Sequence, residues 1–93
     1  PEAFRMSGVV AGANPPQLAE LLNYGAARSV VNVDMGQVKR VDFVAAGALL
    51  NAFSGLTQTG KTVMVNGANE MIQALFAVIG INQFAIVSRN KQH

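Results

Sequence analysis

The chain has 93 residues, 51% hydrophobic and 13% charged, a balance that excludes intrinsic disorder, which needs few apolar residues and many charges. Seven basic and five acidic residues give a net charge of +2, too weak and too scattered for a nucleic-acid-binding face. Cysteine is absent, and the longest apolar run, residues 43–50, is far shorter than the roughly 20 residues of a membrane span. We therefore expect one cytoplasmic globular domain over residues 1–93, either complete or part of a longer chain.

The first elements follow from periodicity and helix-start residues. Residues 4–10 alternate between apolar and polar side chains, which predicts a half-buried strand. Asn14 and the two prolines after it predict a helix start with Asn14 as N-cap, and Gly25 predicts the end of that helix. A β-branched run over residues 29–35 predicts a second strand that ends near Asp34. Its apolar character indicates a sheet that is covered on both faces. The predicted buried face of the first helix consists of Leu18, Leu21 and Leu22.

The second half of the chain repeats the strand–helix alternation. A short basic loop is predicted at residues 39–40, followed by a helix over residues 42–59 that Asp42 caps and Gly60 ends. Residues 62–65 predict a third strand, and Asn69 caps a third helix that ends at Gly80. A short last strand is predicted over residues 84–88, before a polar tail. The predicted inward side chains of the third helix are Met71, Ile72, Leu75, Val78 and Ile79.

This alternation predicts an α/β domain with right-handed crossovers, built as a mixed β-sheet of about four strands with three main helices.

Residues 55–62 match the phosphate-binding P-loop pattern at every position, and Gly60, Lys61 and Thr62 close the match. A P-loop needs a strand before it and a helix after it, because the free N–H groups of that helix bind the phosphates. Here the predicted order is helix and then strand. A nucleotide site is therefore the alternative interpretation, and a glycine-ended helix followed by an exposed lysine is the preferred one.

Enzymatic residues are hard to find in this sequence. Asp34 and Asp42 could form an acid–base pair, but a strand end and a helix cap explain them as well. The single histidine, His93, is the last residue, where catalysis is not expected. No sequence cluster suits a metal, and no hydroxyl stands beside a base. We predict no catalytic activity, no cofactor and no metal.

The outward face of the second helix favours binding instead. Its first half, residues 44–48, is small and apolar, whereas its second half is polar. Exposed apolar surface beside polar residues is typical of a contact site. The alternative is that another loop of the domain covers these residues.

The order and spacing of these segments resemble the STAS domain, the sulfate-transporter and anti-sigma-factor-antagonist family. The resemblance covers residues 4–88 and rests on a glycine-containing first strand, a strand ending in Asp34, and a Val41-Asp42 step before a long helix rich in Gly, Ala and Leu. A glycine, a strand, an Asn-led helix and a Gly80-Ile81 step follow.

The resemblance implies a bacterial regulatory module that docks onto a protein, either a kinase-like anti-sigma factor or the ATPase of a lipid-transporting ABC system. In anti-sigma antagonists a serine after the family aspartate is phosphorylated; Val44 is the best match to that position, and no residue from 41 to 53 has a hydroxyl. The resemblance thus implies the docking surface without its phosphoryl switch. From the scattered charge and the short apolar run we expect no nucleic acid partner and no membrane insertion. An edge position of the first strand would permit a homodimer. The predicted docking residues are Lys39, Arg40, Asp42, Phe43, Val44, Ala45, Gly47 and Ala48.

Overall fold

Strands and helices alternate through residues 2–88, the part of the chain that the computed structural model describes. A single turn of 3₁₀ helix, Ile81–Gln83, precedes the last strand. The predicted polar tail and His93 lie outside the described residues. The elements are β1 (Phe4–Val10), α1 (Pro16–Ala26), β2 (Val30–Val41), α2 (Phe43–Gln58), β3 (Thr62–Asn66), α3 (Glu70–Ile79) and β4 (Ile86–Val87).

The four strands form one sheet in the order β1-β2-β3-β4, which confirms the α/β class, the number of strands and the three helices. Every pairing is parallel, where a mixed sheet was expected. Each connection steps to the next strand in the same direction, so right-handed crossovers place all three helices on one face. None of the helices in the described part of the chain is long and apolar enough to cross a bilayer.

Strand β2 shows that only one face of the sheet is covered, so the prediction that helices cover both faces was wrong. Val31 and Val33 are fully buried on the helix side. Val30, which points to the other face, is 45% exposed, and its neighbours Asn32 and Asp34 on that face are half-buried. The open face therefore carries a mixture of polar and apolar side chains.

Strand β2 is also longer than predicted, and it includes the residues predicted as a basic loop. Two register shifts in its pairing with β1 each place an extra residue on β2. The spacing of buried side chains consequently changes from two to three, with Met35, Val38 and Val41 buried while Lys39 and Arg40 are exposed. Asp34 lies inside the strand rather than at its end. The sequence pattern failed here because bulges break the alternation that identifies a strand.

Helix α1 differs from the prediction at both ends. Its N-cap is Pro15 instead of Asn14, with no side-chain hydrogen bond, because the helical conformation begins one residue later. Gly25 is an interior helical residue, and a Cβ there would lie 3.3 Å from side-chain atoms of Val31 and Leu56. The glycine therefore permits close packing of α1 on the sheet and on α2. Leu22, predicted to be buried, is 40% exposed.

A side-chain amide occupies part of the free edge of β1, which pairs only with β2 among the described strands. Gln17 Oε1 accepts a hydrogen bond from Ser7 N at 2.9 Å, and Gln17 Nε2 donates to Ser7 O at 3.0 Å. This satisfies groups that would otherwise attract another strand. Self-association through β1 remains a prediction, and Gln17 opposes it at Ser7.

Helix α3 turns a different face to the core than the sequence pattern predicted. Ile72 and Phe76 are buried, whereas Met71 is 68% and Val78 82% exposed. The prediction placed Met71 and Val78 inward because it overlooked Phe76, four residues after Ile72. Strand β4 is reduced to Ile86–Val87 because the 3₁₀ turn uses the residues before it.

The core lies between the helices and the covered face of the sheet. Helix α2 is the central helix of the layer, since it contacts both α1 and α3. The largest fully buried side chains include Phe53, Phe76, Met6, Leu21, Met35 and Leu49.

Candidate functional site

The predicted docking residues lie where β2 ends and α2 begins, and we call residues 39–48 the α2 entry. In a parallel sheet the helix N-termini gather at the carboxyl ends of the strands. Helix α3 therefore begins beside the α2 entry, after the end of β3 at Asn66. The predicted region is thus one continuous stretch of surface at one edge of the sheet.

Asp42 caps α2, as the sequence predicted. Its Oδ1 accepts a hydrogen bond from Ala45 N at 2.7 Å. Both of its carboxylate oxygens also lie 3.3 Å from Gly12 N, and its own backbone N–H donates to Val10 O at 3.1 Å. Asp42 thus connects the start of α2 to the loop after β1, and its carboxylate is occupied by backbone N–H groups.

The first turn of α2 exposes two large apolar side chains. Phe43 is 69% and Val44 55% exposed. Gly47 and Ala48 are half-buried, and Ala45 is fully buried. Ala45 is therefore removed from the predicted contact residues, because its side chain faces the sheet. The remaining apolar surface centres on Phe43 and Val44.

Two exposed cationic side chains and one half-buried carboxylate, that of Asp42, precede this apolar surface in the chain. Lys39 and Arg40 are exposed, and no carboxylate within residues 2–88 lies at ion-pair distance from either. The ion pairs in that part of the chain are Arg5–Asp34 at 3.4 Å and Arg28–Glu2 at 2.7 Å. Helix α2 has no charged residue. The α2 entry therefore combines exposed apolar side chains in the first turn of α2 with two exposed cations near the end of β2.

The ion pair between Arg28 and Glu2 shifts the pKa of Arg28. The hydrogen bond that Arg28 donates to Glu2 raises the pKa of the Arg28 guanidinium above its ordinary value, and the nearby Tyr24 adds to this effect. Arg28 also lies over the Tyr24 ring, 4.0 Å from its centroid. This cluster holds the N-terminal residues against α1 and contributes nothing to the α2 entry.

The start of α3 is fastened beside the α2 entry by two contacts. Asn69 Oδ1 accepts from Ile72 N at 2.9 Å, which confirms the predicted cap, and Asn69 Nδ2 donates to Lys39 O at 3.3 Å. Gly67 also packs closely on Gly36 of β2. A Cβ atom added to Gly67 would lie 3.0 Å from the backbone N and Cα atoms of Gly36. The exposed Met71, in the first turn of α3, is consequently near the surface that the sequence predicted.

The P-loop-like residues have the order of elements that the sequence predicted. Gly60, with φ of 87°, follows the end of α2, and Thr62 begins β3. Lys61 Nζ donates to Ala26 O at 3.2 Å and to Arg28 O at 2.7 Å. The lysine thus binds carbonyl groups at the C-terminus of α1, where a cation interacts favourably with the helix dipole.

Removing this ammonium tests the structural role of Lys61. We expect Lys61→Met to lower the free energy of unfolding by about 1–2 kcal/mol, because two carbonyls lose a charged donor. The control Lys39→Met, which removes an exposed lysine without an ion pair in residues 2–88, should change it by less than about 0.5 kcal/mol. Urea denaturation measures both variants. Saturable ATP or GTP binding that Lys61→Met abolishes would contradict this role and favour the nucleotide site.

A groove of about 640 Å³ runs between α1 and the second half of α2. It shows which side of α2 faces α1, since Asn51, Ala52 and Gly55 line it opposite Leu22 and Ala26. No group of three or more potential metal-ligating side chains occurs among residues 2–88.

The described residues form a one-sided α/β sheet domain with an exposed apolar helix start. A family model described as "Mlab, STAS domain" matches residues 2–88, so the chain belongs to the STAS domain family. A search of curated proteins found no match. The predicted resemblance is confirmed. STAS domains are generally non-catalytic modules that bind protein partners, and a regulatory interaction role agrees with this membership.

Proposed function

We propose that this domain is a non-catalytic interaction module that docks onto a protein partner through the α2 entry. The main support for this proposal is that the side chain of Phe43 is 69% exposed and that of Val44 is 55% exposed. Neither side chain is needed to fill the core, and adjacent large apolar residues in a helix start cost solubility unless a partner covers them. Aromatic and aliphatic anchors at the centre of a patch, with charges at its margin, are typical of interaction hot spots.

The partner that we propose is the ATPase of a lipid-transporting ABC system in a bacterial cytoplasm. Residues 41–53 contain no hydroxyl, so a partner kinase has nothing to phosphorylate at the α2 entry. An anti-sigma kinase-like protein would lose the usual means of release. A partner that binds constitutively fits an apolar, unswitched surface better.

Binding to purified proteins tests both the surface and the partner. We expect the ABC ATPase subunits of the same genome to include a binder, and Val44→Glu to weaken that binding by about tenfold or more, because a carboxylate would be buried at the interface. Val30→Glu is the matched control, since Val30 is 45% exposed on the opposite face of the sheet. Calorimetric titration gives both affinities.

Two outcomes would contradict the proposal. Equal binding of wild type and Val44→Glu would remove the α2 entry as the docking surface. Binding of a sigma-regulating kinase, with no binding of any ATPase, would show that the partner is a kinase-like anti-sigma factor instead. Melting temperatures of both variants close to the wild-type value are expected, because both side chains are exposed.

A further inference from the structure

The groove between α1 and α2 has the size of a binding site. Its volume is about 640 Å³, within the range of about 300–1,000 Å³ that is typical of ligand pockets. Its walls include Leu22 and Ala26 of α1 and Asn51, Ala52 and Gly55 of α2, and we call it the α1–α2 groove. These wall residues are small or apolar except for Asn51, so the groove suits an apolar occupant.

The α1–α2 groove continues from the α2 entry along one side of α2. At about 100° per residue, Ala48, Asn51 and Gly55 lie within about 40° of Val44 around the helix axis. Val44 is 55% exposed, and Gly55 lines the groove about three turns further along the helix. The exposed apolar surface at the start of α2 and the groove are therefore parts of one surface.

Helix α1 extends this surface on the other side of the groove. Leu22, which the sequence predicted to be buried, lines the groove and is 40% exposed. A smaller hollow of about 220 Å³, with Pro15 and Leu18 in its lining, continues from Leu22 towards the start of α1. The apolar surface therefore follows α1 as well as α2.

The α2 entry alone is too small for a stable interface. Stable protein–protein interfaces bury about 800 Å² on each partner, from about 20–30 residues. The α2 entry has the ten residues 39–48, and Val41, Ala45 and Ala46 among them are buried. A partner that binds at Val44 therefore needs further surface, and the α1–α2 groove supplies it on the same side of α2.

The polar groups of the groove favour a helical occupant over an extended one. Thr59 Oγ1 already donates to a carbonyl of α2 at 2.8 Å, and Lys61 Nζ donates to two carbonyls at the end of α1. Asn51 is exposed at the rim. An extended peptide would bury backbone N–H and C=O groups without partners here, whereas a helix satisfies its own.

A second copy of this chain is a poor occupant. The helices of residues 2–88 other than α2 expose large apolar side chains at Leu22, Met71 and Val78, and Leu22 belongs to the groove itself. Insertion of α3 from another copy would be a head-to-tail contact, which adds copies without limit unless it closes a ring. Two grooves that face each other would leave a void between them.

We propose that the α1–α2 groove receives an amphipathic helix of a protein partner, which lies along α2 and contacts Val44 at one end. The inference rests on the proposed function, because it extends docking at the α2 entry into the groove. Apolar side chains of the partner at helical spacing would pack between α1 and α2, as in other helix-in-groove complexes. The distance from Val44 to Gly55 along α2 is about 17 Å, so about three turns of the partner's helix would fill it.

Selection from a library of helix-forming peptides, each about five turns long, tests the groove without a known partner. We expect the recovered peptides to carry apolar residues at helical spacing. Recovery of proline-rich or extended peptides, or of none, would overturn the proposal.

A leucine that fills the groove gives the specific variant for the tightest recovered peptide. A Cβ at Gly55 would meet no atom within 4 Å, so Gly55→Leu fits the fold while its side chain occupies the groove. Ala74→Leu is the matched control, since Ala74 is exposed within α3. We expect Gly55→Leu to weaken peptide binding by about tenfold or more, and Ala74→Leu to change it by less than about twofold. Equal binding by the two variants would overturn the proposal.

The melting temperature shows that the groove variant is folded. Gly55→Leu should melt at or above the wild-type temperature, because leucine favours a helix more than glycine does. Sedimentation that shows association of the wild type, abolished by Gly55→Leu, would make a second copy the occupant and overturn the proposal.

Binding of the proposed ATPase partner separates this inference from the proposed function. We expect Gly55→Leu to weaken ATPase binding by about tenfold or more, as Val44→Glu does. If Val44→Glu abolishes ATPase binding while Gly55→Leu leaves it unchanged, the groove is wrong and docking at the α2 entry stands. Peptide binding that Gly55→Leu abolishes, with no binding of any ATPase, would support the groove and contradict the proposed partner.

Discussion

Replacing Gly67 with alanine is expected to lower the free energy of unfolding by about 2–4 kcal/mol, through backbone strain and overpacking together. Gly67 has φ of 81°, a conformation that residues with a Cβ adopt at a cost. The new methyl group would also lie 3.0 Å from N and Cα of Gly36, which are backbone atoms of β2 and cannot rotate away. Relief requires α3 to move from β2.

The control for this prediction is the same substitution at Gly47. Gly47→Ala places its methyl group in open space within a helix, so we expect a gain of about 0.5–1 kcal/mol from helix propensity. Urea denaturation of both variants checks the opposite signs. A loss below about 0.5 kcal/mol for Gly67→Ala would show that the turn before α3 shifts easily, and that the Gly36 contact does not position α3.

The sequence predicted those parts of the fold that depend on neighbouring residues. Asp42 and Asn69 were identified as helix caps because each N-cap bond joins residues three apart. The alternation of strands and helices followed from similarly local periodicity. Four strands and three helices, and their order, were therefore within reach of the sequence.

What the sequence did not predict depends on contacts between distant residues. The second half of β2 was mistaken for a loop because its two register shifts exist only in its pairing with β1. Gln17 was not part of the predicted buried face of α1, but it bonds to Ser7, ten residues earlier. Neither feature leaves a periodic signal in the local sequence.

The sequence predicted only part of the candidate site, because the burial of its side chains also depends on contacts between distant residues. Val44 was correctly placed on the outward face of α2, and its neighbour Ala45 was included although the sheet buries it. Met71 and Val78 were predicted to be buried, because an apolar helix offers two possible inward faces. The packing of Phe76 decides between them. The exposed side of α3 therefore became visible only in three dimensions.

Asp42→Ala is expected to lower the free energy of unfolding by about 2 kcal/mol, near the upper end for loss of an N-cap. The variant leaves the N–H group of Ala45 without its 2.7 Å bond and also frees Gly12 N, which joins the loop after β1 to the helix start. Asp42→Asn, which keeps an accepting oxygen, should lose less than half as much, because asparagine is as good an N-cap. Thermal and urea unfolding of the two variants measure this difference.

Affinity for the proposed ATPase partner then separates the capping role of Asp42 from a role in docking. Because the Asp42 carboxylate is occupied by two backbone N–H groups, we expect Asp42→Asn to bind within about twofold of wild type at a temperature where both are folded. Val44→Glu, by contrast, should lose binding and keep its stability. A folded Asp42→Asn variant that has lost binding would show that the carboxylate contacts the partner directly. The family aspartate would then belong to the interface, whereas the geometry assigns it to the construction of the helix start that presents Phe43 and Val44.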